Sequence, residues 1–228
     1  MAMNPSTCII IADDHPLFRS ALSATLTRGL DSPSVLETED FPGLQQMVEQ
    51  TPQANLILLD LHMPGAEGFS ALVYLTAHHP NVPVMVVSAH EEPEIMRRAI
   101  DHGAAGFLPK SAGIDTMMEA LQAVLSGATW LPAGVDQTPI AGDEELSIAD
   151  ALASLTPQQF RVASMVSQGL LNKQIAYELN VTEATIKAHM TEIFRKLGVH
   201  SRTQAAVAIG QLAVHPVQSL DEFRKSPQ

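Results

Sequence analysis

The stretch Asn55-Leu56-Ile57-Leu58-Leu59-Asp60 holds four successive large apolar residues and ends on a carboxylate. A strand with no polar alternation is covered on both faces, the condition of strands inside a parallel sheet. The same design recurs downstream in Val84-Met85-Val86-Val87-Ser88 and upstream in Cys8-Ile9-Ile10-Ile11-Ala12-Asp13. Outward from these runs, strands are expected over residues 8–13, 34–38, 55–60, 82–88 and 105–109. Helical patterns fill the gaps over 16–28, 40–50, 67–78, 92–102 and 112–126. Pro16 suits a first helical turn, Gly29 a helix end, and Asn81 with Pro83 a strand start. Strand and helix alternating over about 120 residues predict an α/β doubly wound, five-stranded parallel sheet. Pro109 places the fifth strand at an edge, because proline lacks the donor that a central strand needs.

From Gly127 the alternation stops. Residues 127–150 are rich in Gly and Pro, contain Asp143-Glu144-Glu145, and read as a linker with a short helix at its end. Beyond it the sequence is helical over 157–168, 172–179, 183–197 and 202–214, and residues 215–228 read as a frayed tail. Thr156 and Pro157 form a helix start, and Gly169 a stop. Asn180-Val181-Thr182 makes a short turn between two helices, the pattern of a helix-turn-helix. On the helix after that turn, Ile186, Ile193 and Leu197 should face a core, leaving Lys187, Met190, Thr191 and Glu192 for the outer side.

An apolar fraction of 46% is ample for packed cores. No apolar run approaches the ~20 residues of a membrane span, and the N-terminus does not read as a signal peptide, so no membrane partner is expected. A single cysteine, Cys8, excludes an internal disulfide and fits a reducing cytoplasm. The net charge of −12 is unevenly spread. Residues 1–126 carry −10, residues 127–150 carry −5 and residues 151–228 carry +3. Only the last part can approach phosphates.

Doubly wound sheets bind ligands beyond the carboxyl ends of their strands. Asp13 and Asp14 end the first strand, Asp60 the third and Ser88 the fourth, while Lys110 follows the fifth. Taken singly, an Asp pair before a helix is a cap and a lone lysine is solvated; jointly placed, the five converge on one crevice. Three close carboxylates repel unless a cation joins them, and hard oxygen ligands suit Mg²⁺. With that ion, Asp60 can be a nucleophile towards a phosphoryl group, Lys110 can neutralise charge, and Ser88 can donate a hydrogen bond. The nine histidines, His15, His62 and His78-His79 among them, show no metal-ligand spacing, and His78-His79 read as favourable positive charge at a helix end.

Ala12-Asp13-Asp14-His15-Pro16, Leu59-Asp60-Leu61-His62-Met63-Pro64-Gly65, Val87-Ser88-Ala89 and Gly106-Phe107-Leu108-Pro109-Lys110 resemble the receiver domain of response regulators, a flavodoxin-like fold, over residues 6–126. The resemblance implies Asp60 as phosphoacceptor and Mg²⁺ held by Asp13, Asp14, Asp60 and the backbone carbonyl of His62. It also implies Ser88 and Lys110 as phosphoryl-binding groups, and Phe107 as an aromatic switch. Leu155-Thr156-Pro157, Asn172-Lys173-Gln174-Ile175-Ala176, Thr185-Ile186-Lys187-Ala188-His189 and Lys196-Leu197-Gly198-Val199 resemble the LuxR-type helix-turn-helix, over residues 151–214. Together they resemble the NarL/FixJ class of two-component response regulators, not an enzyme. A sensor histidine kinase would be the phosphodonor, and a homodimer formed through the last helix would bind double-stranded DNA. Lys187, Ala188 and Thr191 would face bases, and Asn172, Lys173, Thr185 and Arg195 phosphates. The receiver would cover that face until phosphorylation. Gln159 departs from the family's usual Glu, which places domain stability in question.

Two other classes are weaker. A haloacid-dehalogenase-type phosphohydrolase needs a second Asp two residues after the nucleophile, where this chain has His62. A protein–protein switch with a vestigial site would lack some of the five site residues.

Overall fold

The computed structural model describes residues 7–214. In the N-terminal unit, β1 (Cys8–Ala12), β2 (Ser34–Thr38), β3 (Leu56–Leu59), β4 (Val84–Ser88) and β5 (Gly106–Pro109) form one parallel sheet ordered β2-β1-β3-β4-β5. Between them run α1 (Pro16–Gly29), α2 (Phe41–Gln50), α3 (Ser70–His78) and α4 (Pro93–Asp101), and α5 (Ile114–Leu125) follows β5. β1, β3 and β4 are buried throughout, whereas β2 is half-exposed, as an edge strand should be. Pro109 does lie on an edge strand.

The twofold period of the strands divides the core cleanly. Ile10, Ala12, Ile57, Leu59, Val84, Val86 and Phe107 point to one face and meet α2, α3 and α4 through Phe41, Leu44, Leu72 and Ile95. Ile9, Ile11, Leu56, Leu58, Met85, Val87 and Leu108 point to the other and meet α1 and α5 through Leu22, Leu26, Met117 and Leu121. A one-residue slip of any central strand would exchange the two sets.

The segment read as a linker is tied down at each end. Phe107 N–H donates to Trp130 O at 3.1 Å and Trp130 N–H to Ala105 O at 3.1 Å, so its first residues cover the β5 edge. Asp101 accepts from the amides of Ile140 and Ala141, both at 2.8 Å. Helix α6 (Asp143–Ala153) is longer than the short helix expected and crosses residue 150, packing on α3 and on the C-terminal unit. Its acids serve this docking: Glu145 lies 2.6 Å from His102 Nε2 and 2.9 Å from the Arg98 guanidinium.

The C-terminal unit comprises α7 (Pro157–Ser167), α8 (Asn172–Glu178), α9 (Glu183–Leu197) and α10 (Arg202–Gly210). Asn180, at φ +51°, makes the turn between α8 and α9, a left-handed position that Asn tolerates. The helix expected over 202–214 is helical only to Gly210; the residues after it turn back onto the N-terminal unit. There Phe69 N–H donates to Leu212 O at 2.8 Å and Arg98 to Gln211 O at 3.0 Å. Gly68, at φ +53°, has no room for a side chain: a Cβ would sit 2.2 Å from Leu212 O. Nearby, Ser164 of α7 donates to Gly65 O at 2.6 Å. The Phe160 ring stands 5.1 Å from Phe41 and 4.8 Å from Tyr74, centroid to centroid. One apolar core therefore runs from the α2–α3 face of the sheet into the helical unit.

Candidate functional site

The chain leaves β1 towards β2 on one side and β3 towards β4 on the other, so a crevice opens beyond the carboxyl ends of these two paired strands. Asp60 N–H donates to Ala12 O at 2.9 Å and Asp13 N–H to Thr38 O at 3.1 Å, so the parallel ladder itself sets both carboxylates at this switch point. Asp13, Asp60 and Ser88 are buried, and Asp14 is half-buried at the rim. Lys110 Nζ lies 2.7 Å from Asp60 Oδ2 and 2.7 Å from Asp13 Oδ2. Its reach is guided by the Lys110 amide, which donates to Ser88 O at 2.7 Å, and by the Phe18 ring, 4.9 Å from the ammonium. Asp13, Asp14, Asp60 and Lys110 come together as expected, and Ser88 ends β4 beside them with its Oγ accepting from the His90 amide at 3.3 Å. The charge balance within the site is three carboxylates against one ammonium, an arrangement that attracts a divalent cation.

Phe107 is fully buried, within the core of the α2–α4 face. The His62 amide donates to Asp60 Oδ1 at 3.3 Å, and the His62 ring stacks on His90 at 5.0 Å. A cleft of about 530 Å³ opens beside them, lined by Asp14, His62, Met63 and Glu67, with Ala213 and Val214 of the C-terminal unit closing one side.

Sequence reasoning set His15 aside, and the structure brings it into the site. Its Nδ1 lies 2.7 Å from Asp14 Oδ1, 3.3 Å from Asp13 Oδ1 and 3.7 Å from Asp60 Oδ2. Spacing along the chain could not show this, because it depends on how the turn into α1 folds His15 back over the strand ends. The reading of His78-His79 as positive charge at a helix end also needs correction at His79. Burial, and then the neighbouring His78, hold the His79 imidazole below its ordinary range, which favours the neutral form.

In the C-terminal unit, Lys187, Ala188, Thr191 and Arg195 of α9 are exposed, as is Lys173, whereas Asn172 and Thr185 are half-buried. The expectation that the receiver covers this face is overturned: α7 and the end of α10, not α9, carry the docking contacts. Met190 is 7% exposed and faces inward, against the outward placement expected from the helical period. It extends the Ile186–Ile193 stripe, which α9 presents to α6 and α7. Arg195 pairs with Glu192 at 2.8 Å and draws that carboxyl below the usual range. Asn172 Oδ1 accepts from Arg202 at 3.3 Å. Gln159 completes a capping box with Thr156, and its Oε1 also accepts from Lys196 Nζ at 2.9 Å. An amide oxygen thus makes both bonds available to a carboxylate at this position.

Two family profiles match the chain. "Response regulator receiver domain" covers residues 9–122, and "Bacterial regulatory proteins, luxR family" covers residues 153–209. The glycerol metabolism activator of Pseudomonas putida is 39% identical over 90% of this chain and 95% of its own.

The chain belongs to the LuxR-type response regulators.

Among these regulators, the Escherichia coli nitrate/nitrite response regulator NarP is 31% identical over 87% of this chain and 92% of its own. The structure of RcsB from Salmonella enterica serovar Typhimurium, bound to a promoter with the phosphomimetic BeF3⁻, is similar with a TM-score of 0.54. It is 25% identical and spans 91% of this chain and 100% of that one. The regulator therefore joins a receiver to a DNA-binding helix-turn-helix of the NarL/FixJ type, in a family of transcription regulators. Among its described residues, no helix is long and apolar enough to cross a membrane.

Proposed function

We propose that Asp60 accepts a phosphoryl group from a cognate sensor histidine kinase in the cytoplasm, and that this modification governs how the regulator assembles on double-stranded DNA. The observation that carries this reading is the Lys110 ammonium, shared at 2.7 Å between the buried carboxylates of Asp60 and Asp13. Asp13, Asp14 and Asp60, with the backbone carbonyl of His62, would hold Mg²⁺. The ion supplies charge neutralisation to the transferring group when bound. The donor set fits it: Asp14 Oδ1 is buried without a hydrogen-bond partner, beside the buried carboxylates of Asp13 and Asp60. An Asp60 carboxylate oxygen attacks phosphorus, the bond from phosphorus to the donor atom breaks, and the donor leaves with that electron pair. Lys110 then turns from the carboxylate pair to the new phosphoryl oxygens, and the Ser88 hydroxyl donates to one of them. Replacing Asp14 by Ala removes a carboxylate ligand and is expected to weaken Mg²⁺ binding and slow phosphorylation, as calorimetric titration and labelling would report.

The new charge lies at the head of the loop that bears Pro64, Gly65, Gly68 and Phe69, which the helical unit grips through Ser164 and Leu212. Movement of that loop on phosphorylation would loosen the grip and free the end of α10 to pair two copies, as dimers reading two half-sites require. Lys187, Ala188 and Thr191 would meet base edges. Lys173, Thr185 and Arg195 would approach phosphates, with Asn172 setting Arg202 beside them. The promoter-bound state of the related RcsB supports DNA as the partner. Replacing Lys187 by Ala should cost about 1–3 kcal/mol of sequence-specific binding, measured at fixed salt with and without acetyl phosphate. Equal loss on every DNA sequence would assign Lys187 to a phosphate instead.

A further inference from the structure

His15 is held at the receiver's acidic site by its own backbone. Its amide donates to Asp13 Oδ1 at 2.8 Å, and its carbonyl accepts the Arg19 amide at 3.0 Å. Pro16 follows, and the residue before a proline is kept in the extended region, here φ −90°, ψ 101°. The imidazole is thereby poised over the carboxylates, while its side chain stays 63% exposed and free to turn.

The contact between His15 Nδ1 and Asp14 Oδ1 is close, at 2.7 Å, yet it is not aligned as a hydrogen bond: that oxygen is buried and has no hydrogen-bond partner. Asp13 Oδ1 and Asp60 Oδ2 follow at 3.3 and 3.7 Å. Ligand atoms about 2.1 Å from a common ion, in an octahedron, are about 3 Å apart along an edge. The one nitrogen and three carboxylates lie within 4.8 Å of one another, the scale of such a shell. Lys110 engages Oδ2 of Asp13 and Oδ2 of Asp60, which leaves Asp14 Oδ1, the oxygen nearest His15, as the buried carboxylate oxygen with neither an ammonium nor a hydrogen bond.

We propose that His15 is a side-chain ligand that this receiver adds to its carboxylate site, shifting its preference from Mg²⁺ towards transition-metal ions such as Mn²⁺. This rests on the receiver reading of the pocket given above. Imidazole nitrogen is a favourable ligand for first-row transition ions, whereas Mg²⁺ prefers oxygen and keeps its waters. With Mg²⁺, the exposed ring swings out and water takes its place; with Mn²⁺, the ring stays.

The full-length regulator is titrated calorimetrically with MnCl₂ and with MgCl₂, as wild type, His15→Ala and His15→Asn. The wild type is expected to favour Mn²⁺, and both variants to lose about 10-fold or more of Mn²⁺ affinity while Mg²⁺ affinity changes less than about twofold. Pulsed electron paramagnetic resonance of the bound Mn²⁺ should show a directly coordinated nitrogen in the wild type and none in His15→Ala. Circular dichroism confirms that the variants fold. If wild-type Mn²⁺ shows no coordinated nitrogen, or His15→Ala leaves the Mn²⁺ to Mg²⁺ preference unchanged, His15 is a counter-charge and not a ligand, and the phosphorylation site stands as described. If neither ion binds the wild type, the proposal and the metal role of the carboxylates fall together.

Discussion

Asp60→Asn is expected to abolish labelling by acetyl phosphate. The wild type, with Mg²⁺, should gain one hydroxylamine-sensitive phosphoryl group per chain, and the variant none above background. The reason is chemical: a neutral amide cannot form the acyl phosphate, yet it is nearly isosteric with the carboxylate it replaces. The fold should survive, because the β1–β3 ladder holds Asp60 through its backbone amide, and an Asn oxygen can still accept from the His62 amide. Lys110 would retain Asp13 Oδ2 as partner at 2.7 Å, which limits the cost of losing the second carboxylate. Intact mass measurement before and after hydroxylamine reads the result. Equal labelling of Asp60→Asn would place the nucleophile elsewhere, with Asp13 and Asp14 the nearest carboxylates.

Phe160→Ala should have the largest effect on stability and on communication between the two domains. Phe160 is buried between Phe41 and Tyr74 of the receiver, at 5.1 and 4.8 Å between centroids, although it starts the first helix of the DNA-binding domain. Truncation of a buried phenylalanine costs about 3–5 kcal/mol when the space left cannot collapse. Part of that space is walled by the buried rings of Phe41 on α2 and Tyr74 on α3, whose close packing resists collapse. Because the lost contacts join two domains, calorimetric unfolding should change from one transition towards two, with the helical domain melting first. The same variant should dimerise and bind DNA more readily without phosphorylation, since the grip on the end of α10 is weakened. A single unshifted transition would show that the docking contributes little to stability.

These contacts redirect the account of inhibition that the family resemblance suggests. The side of α9 proposed to meet DNA is open to solvent: Arg195 has a side chain 67% exposed, and Lys187 and Thr191 are exposed as well. Electrostatics still disfavour DNA in this state, because residues 1–150 carry −15 beside a C-terminal part of +3. Some of that acidity is occupied, with Glu145 paired to Arg98 and His102, and Asp136 3.5 Å from Arg97. A fragment cut at residue 151 would divide α6, so a comparison of the isolated DNA-binding domain with the whole protein should begin before Asp143.

The sheet, its buried central strands and the five residues at its carboxyl edge were legible in the sequence because each rests on local rules. Unbroken apolar runs specify strands covered on both faces, and a strand's end is marked by the first charged residue after it. The helix-turn-helix was legible for the same reason, down to the Thr156 cap and the turn at Asn180. Gln159 was read only as a departure; its bond to Thr156 is a local capping box, whereas its bond to Lys196 Nζ needed the packed helices to be seen. Met190 was misplaced because a helical period fixes a stripe's direction but not its width, which depends on how many neighbours pack against it. Tertiary structure alone decided three things: the approach of His15 to the carboxylates, the docking of Phe160 between Phe41 and Tyr74, and the turn that returns Leu212 to Gly68. All three join residues far apart along the chain or turn on a single backbone bend. An apolar or polar side chain does not encode which distant surface it will meet, so that information exists only once both domains are folded.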